Sequence, residues 1–272
     1  MTPMSDREFR MLSDFIRKRS GIELKPEKRA MLAGRLQQRL SARGLDRYVD
    51  YYHIVSSGDE AEISRMLDCV TTNYTYFMRE KEHFSFFRET VLPEAIARAR
   101  DRDLRVWSAA CATGEEPYTL AMLIDEHFAG MKKGWDTRLL ATDISRQALA
   151  AAQTGMYGEE RIEELPERWK KRYFQPAGAG QYRLNDRLRA EVVFRQLNLT
   201  AGEFPFKRRF HAIFCRNVMI YFDARVRRAL IGRLADWLEP GGYLFVGHSE
   251  SLVEGHPGLR YVKPSVYRKL GS

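Results

Sequence analysis

The stretch RVWSAACATGEEPYTLAM, residues 105–122, sets small side chains beside two carboxylates where an apolar run gives way to a helical one. Ala109, Ala110, Cys111, Ala112, Thr113 and Gly114 are all small, so a ligand can approach their backbone. Pro117 suits a first helical turn. A nucleotide-phosphate loop would carry more glycines, and Ala110 and Ala112 stand where two are expected. Glu115 and Glu116 suit the positive end of a helix but repel a pyrophosphate. A cofactor with a cationic group and no phosphate fits better, and S-adenosylmethionine, with its sulfonium and amino group, is such a molecule. The competing explanation is a packed turn with two helix-capping glutamates.

Further candidates stand where apolar runs end. Asp143 in LLATDIS follows Gly114 by 29 positions. It suits a ribose diol, or equally an N-cap shared with Ser145. Asn198 and Leu199 in RQLNLT suit the edge and face of an adenine ring, or a plain strand-end turn. Arg216, Asn217 and Tyr221 close FCRNVMIYF. His248, Ser249 and Glu250 follow GGYLFV, but no GxSxG elbow accompanies them, so a structural or lining role is expected. The cysteines Cys69, Cys111 and Cys215 form no CxxC pair, and neither a disulfide nor a metal site is expected.

These residues need a scaffold. Residues 5–70 read as helices, with Phe9, Leu12 and Ile16 at helical spacing and Gly21 as a stop. Leu32, Leu36 and Leu40 form one stripe, and Arg35, Arg39 and Arg43 a second about 100° away. The second stripe is either a solvated basic face or a docking surface for an acidic partner. From residue 104, short apolar runs alternate with helical segments, which predicts a mostly parallel α/β sheet ending in a hairpin around Pro264. Residues 157–197 interrupt the alternation and read as a small β insertion. The expected organisation is a helical domain over 1–72, a linker and helix over 73–103, and a cofactor-binding domain over 104–272.

The chain carries 45 Lys and Arg against 36 Asp and Glu, a net charge of +9, which favours an acidic partner. Residues 17–47 alone hold ten basic groups against three acidic ones. No apolar run approaches the ~20 residues of a membrane span, and the N-terminus lacks an apolar signal region. A cytoplasmic protein is expected.

The motifs TTNYTYFMRE, WSAACATGEEPYTLAM, ATDIS, FCRNVMIYF and GHSE occur in one order and at suitable separations. With them the chain resembles the CheR-type chemotaxis receptor glutamate O-methyltransferases over nearly its whole length. The resemblance implies a class I S-adenosylmethionine-dependent methyltransferase fold, Rossmann-like, behind an all-α N-terminal domain. It implies methyl transfer to glutamates of chemoreceptor helices. A monomer is expected, with no nucleic-acid partner and no membrane insertion. Asn73, Thr75 and Arg79 match the family's cofactor-contacting segment between the domains. One of Glu115 and Glu116, Asp143, Asn198, Leu199 and Asn217 match its other cofactor positions, with Ala110, Gly114 and Val218 in the same stretches. Tyr221 matches an active-site tyrosine. The family also places an active-site arginine in the helix after FMRE, where Arg98 is favoured over Arg100; Arg79 and Arg98 are thus the candidate catalytic cations. The Arg35, Arg39 and Arg43 stripe becomes a candidate dock for glutamate-rich helices.

A nucleic-acid methyltransferase is the rival enzyme, supported by the basic charge but lacking a Pro-Pro-aromatic clamp. A non-catalytic, ligand-sensing adaptor and an NAD-dependent oxidoreductase are the others, the latter without GxGxxG.

Overall fold

The computed structural model describes residues 3–99, 101–130, 132–252 and 255–271. Four helices form the N-terminal module: α1 (Asp6–Ser20), α2 (Arg29–Ala42), α3 (Tyr48–Ser56) and α4 (Glu60–Val70). Ser5 and Glu8 close a capping box at the start of α1, and Gly21 ends it at φ 75°. Phe9, Leu12 and Ile16 of α1 meet Leu32, Leu36 and Leu40 of α2 in one core with Tyr51, Val55 and Met66. The predicted leucine stripe is fully buried.

A connecting segment leads to α5 (Lys81–Phe86), a π turn (Phe87–Val91) and α6 (Leu92–Arg98). Next come β1 (Val106–Ala109), α7 (Glu115–Phe128), β2 (Leu139–Asp143) and α8 (Arg146–Thr154). A small subdomain follows, built from β3 (Met156–Gly158), α9 (Glu159–Ile162), α10 (Glu167–Tyr173), β4 (Phe174–Gly178) and β5 (Gln181–Leu184). The chain continues through α11 (Asp186–Arg189), β6 (Val192–Gln196), β7 (Phe210–Cys215), α12 (Ala224–Asp236) and β8 (Leu238–Val246). It ends in the expected hairpin, β9 (Leu259–Lys263) and β10 (Val266–Lys269).

The main sheet has the order β6-β2-β1-β7-β8-β10-β9, parallel from β6 to β8, with β10 antiparallel to β8. This is the class I S-adenosylmethionine-dependent methyltransferase architecture. Alternate residues of the buried strands feed opposite faces: Val106 packs into the core under α7, Trp107 into the core under α12. The order reverses at β1, where parallel neighbours β2 and β7 diverge and a crevice opens beyond the strands' carboxyl ends.

The insertion is smaller than the sequence reading of 157–197. Its three-stranded sheet, β3-β5-β4, ends at Leu184, whereas β6 is the edge of the main sheet, parallel to β2. Val192 and Phe194 are buried while Arg195 is exposed. Such alternation marks a half-buried strand without naming the sheet it joins.

Candidate active site

The crevice is roofed by the helical module, so its walls come from both halves of the chain. It is lined by Ile22, Glu23, Lys28, Met31 and Arg35 below the helices, by the segment Val70–Tyr76 with Arg79, and by the strand-end loops of the sheet. Three contacts seat the module there. Asn198 Nδ2 donates to the Arg19 carbonyl, Ser145 Oγ donates to Asp68 at 2.7 Å, and Glu23 N–H donates to the Tyr221 carbonyl at 2.8 Å.

The loop after β1 keeps a glycine-like backbone with alanines. Ala110, Ala112 and Gly114 lie at φ 61°, 47° and 98°. Positive φ is unfavourable for alanine, and hydrogen bonds hold the loop there. Cys111 N–H donates to the Thr142 carbonyl, and Ala112 N–H to Asp143 Oδ2, both at 2.9 Å. Asp143 is 6% exposed and also accepts from Ser145 N–H. The N-cap of α8 is Ser145, not Asp143. Burial raises the Asp143 carboxyl above its ordinary range, against the pull of those backbone donors. Its two oxygens still have acceptor capacity toward the crevice, as a ribose diol requires.

The two glutamates separate. Glu116 lines the crevice, with Oε1 accepting from Ser108 Oγ at 2.7 Å and Oε2 from Arg216 Nη1 at 2.9 Å. Burial raises its carboxyl, and the Arg216 guanidinium opposes that shift. Glu115 is fully buried and pairs with Arg161 of α9 and with Thr113. It fastens the small subdomain and does not line the crevice. Gly114 does not line it either. A Cβ there would meet Ala152, Tyr157 and Tyr118 within 3.2 Å, so its role is tight packing behind the loop.

Asn73, Thr75, Ala110, Leu199, Asn217, Val218 and Tyr221 all line the crevice. Asn198 lines it too, but its amide already donates to Arg19 and accepts from both Thr200 N–H and Thr200 Oγ. Its polar atoms serve the domain seam more than a ligand edge. Arg79 sits between Met78 and Glu80, at φ 61° and 56°, in a strained turn. Its guanidinium donates to the Tyr74 carbonyl at 2.9 Å and lies 5.9 Å from the ring centres of Tyr74 and Tyr76. Glu250 is a structural residue: it accepts from the backbone N–H groups of Gly247, Asn217 and Ile220 and is 1% exposed.

Arg98 is misplaced by the sequence reading. It donates to the carbonyls of Glu94 and Gly241, the latter near the start of β8. The helical run from Lys81 to Arg98 spans about 27 Å at 1.5 Å per residue, which carries Arg98 to the far end of the sheet. Arg100 lies outside the described residues. The arginine stripe of α2 has internal partners. Arg39 grips Glu62 through two bonds of 2.9 and 2.8 Å, Arg43 bonds Glu62 and Asp59, and Arg35 bonds the carbonyls of Val70 and Thr71.

Sequence reasoning passed over Glu80 and gave Arg216 no partner. Arg216 is 5% exposed and binds Glu80, Glu116 and the Arg79 carbonyl, so it ties the strained turn to the cofactor wall. Glu80 is pushed up by burial, but Arg216 and Asn217 outweigh this and hold its carboxyl below the usual range. A charged residue inside a strand-end motif was the available signal.

The crevice suits S-adenosylmethionine on three counts: a buried and a largely buried carboxylate, a small-residue loop, and apolar walls from Leu199, Val218 and Ile144. Known proteins agree. The family described as "CheR methyltransferase, SAM binding domain" matches residues 73–267, and "CheR methyltransferase, all-alpha domain" matches residues 7–71. The chain is 36% identical over 253 residues to the chemotaxis protein methyltransferase of Borreliella burgdorferi, covering 92% of this chain and 89% of that one. It is 37% identical over 253 residues to the chemotaxis protein methyltransferase of Escherichia coli, covering 91% and 85%. A Klebsiella aerogenes relative of the same description is 38% identical over 254 residues, covering 92% and 84%. The chain therefore belongs to the CheR methyltransferase family, and it is an S-adenosylmethionine-dependent methyltransferase.

Proposed function

We propose that the chain methylates side-chain carboxylates of glutamates in chemoreceptor signalling helices, in the cytoplasm and as a monomer, giving glutamyl methyl esters for sensory adaptation. One observation carries the reading: a single crevice pairs Asp143 and Glu116 with Arg79 and Tyr221. The carboxylates favour a cationic methyl donor, and the guanidinium with the phenol favours an anionic acceptor. The relatives' description as chemotaxis protein methyltransferases supports the receptor as substrate. No helix among the described residues is long and apolar enough to cross a membrane.

When bound, S-adenosylmethionine supplies a methyl on a sulfonium, which leaves a neutral thioether. A glutamate carboxylate, with an ordinary pKa of about 4.3, is ionised at neutral pH and attacks without a general base. The chain's work is then alignment and exclusion of water. Asp143 and Glu116 hold the donor's polar groups, while Arg79 and Tyr221 orient the acceptor carboxylate. Arg216 keeps Glu116 and the Arg79 turn in register from behind.

The test is transfer of labelled methyl to receptor membranes, with RNA as the competing substrate. Base-labile label on receptor and none on RNA is expected. Label on RNA, or base-stable label on receptor, refutes the acceptor assignment.

A further inference from the structure

Beside the crevice, Glu80, His83 and His248 converge from three segments: the strained turn, the start of α5 and the turn after β8. Their ligand-capable atoms all lie within 4.8 Å of one another. His83 Nδ1 is 3.4 Å and His248 Nε2 4.0 Å from Glu80 Oε2. His83 is 1% exposed, and neither ring nitrogen has a hydrogen-bond partner. The approach of Nδ1 to Glu80 is close in distance but misaligned for a hydrogen bond. Buried polar atoms are ordinarily satisfied, and an imidazole idle at both nitrogens is an exception that calls for a ligand.

We propose that Glu80, His83 and His248 form a site for one divalent transition cation of the zinc type. Two imidazoles and one carboxylate are a donor set found in open zinc sites, where water takes the fourth position. Tetrahedral donors at 2.0–2.1 Å from zinc lie about 3.4 Å apart. The His83–Glu80 separation already matches, and the exposed His248 ring closes its longer gap by a small rotation. Mg2+ and Ca2+ prefer oxygen donors and are disfavoured here. The half-exposed His248 gives an entry path.

Arg216 donates to the same Glu80 oxygen at 3.0 Å. A bound cation competes with that guanidinium, which also holds Glu116 on the cofactor wall. Metal and S-adenosylmethionine therefore oppose one another, and the coupling acts equally in both directions.

The full chain, stripped with chelator, is dialysed against ZnCl2 and titrated with CoCl2. One equivalent of Zn2+ and the visible absorption of tetrahedral Co2+ are expected, unaffected by excess MgCl2. His248→Ala lowers the affinity about ten-fold or more, and His53→Ala, an exposed histidine on α3, leaves it intact. Zn2+ raises the dissociation constant for S-adenosylmethionine in the native chain and not in His248→Ala. No stoichiometric binding, binding indifferent to His248→Ala, or equal competition by MgCl2 overturns the site. Zn2+ that binds without shifting cofactor affinity overturns the coupling.

Discussion

Glu115 and Glu116 are adjacent and chemically identical, and the helix separates their work. Successive residues point about 100° apart, so one carboxylate turns to Arg161 and the other to the crevice. Glu116→Ala is expected to weaken S-adenosylmethionine binding about ten-fold or more, the loss of a charge-assisted contact. Glu115→Ala is expected to cost about 1–3 kcal/mol of stability by leaving the part-exposed Arg161 without its buried partner. Calorimetric binding and urea unfolding of both variants check the division. Equal binding defects in the two would contradict it. Arg79 and Tyr221 act later, on the acceptor. Tyr221→Phe and Arg79→Ala are expected to reduce kcat by about 100-fold or more, in the range of lost transition-state donors, while cofactor affinity holds. If neither variant slows turnover with cofactor bound, these residues do not orient the acceptor.

Element by element, the chain shows which inferences a sequence supports. The Leu32, Leu36 and Leu40 stripe was legible because its cause, helical period, is local. Asp143, Asn217 and Tyr221 were legible because strand ends converge on one crevice in a parallel sheet. The pairing of the arginine stripe was not legible because its partner, Glu62, comes from α4, over twenty positions away from Arg39. Arg98 misled because its helix runs down the sheet, and helix direction is a tertiary property. β6 was assigned to the insertion because a single strand does not encode its pairing. The α2–α4 clamp has its own pH signature. Burial raises the Glu62 carboxyl, but hydrogen bonds from Arg39, Arg43 and Tyr51 win and lower it to about 2. An unfolded glutamate titrates near 4.3. The clamp's contribution is therefore complete above about pH 5 and is lost as pH falls toward 2. Urea unfolding between pH 7 and pH 3 should show stability falling with pH, and Glu62→Gln should lower stability at pH 7 and flatten the slope. An unchanged slope in that variant would place the acid sensitivity elsewhere.

At the scale of the molecule, the crevice exists only where the helical module meets the sheet. Gly21 is a tight point of that seam. It ends α1 at φ 75°, and a Cβ there would lie 2.5 Å from Thr200 Cγ2. Thr200 in turn bonds Asn198, which bonds the Arg19 carbonyl at the end of α1. A side chain at position 21 thus meets both an unfavourable backbone angle and the opposite domain. Gly21→Ala is expected to destabilise the chain by about 1–2 kcal/mol and to weaken S-adenosylmethionine binding although residue 21 is not among the crevice walls. Thermal unfolding and cofactor titration measured together separate the two effects, and a destabilised variant with native affinity would show that the seam does not shape the crevice. Net charge operates at the same scale. With Arg39 and Arg43 internally paired, attraction of an acidic receptor rests on the summed +9 charge and not on one stripe. Added salt should therefore raise KM for receptor membranes several-fold across one Debye-length change while kcat holds. Arg43→Gln should reduce stability through Glu62 and leave that salt dependence almost unaltered. A salt response abolished by Arg43→Gln would return the docking role to the stripe.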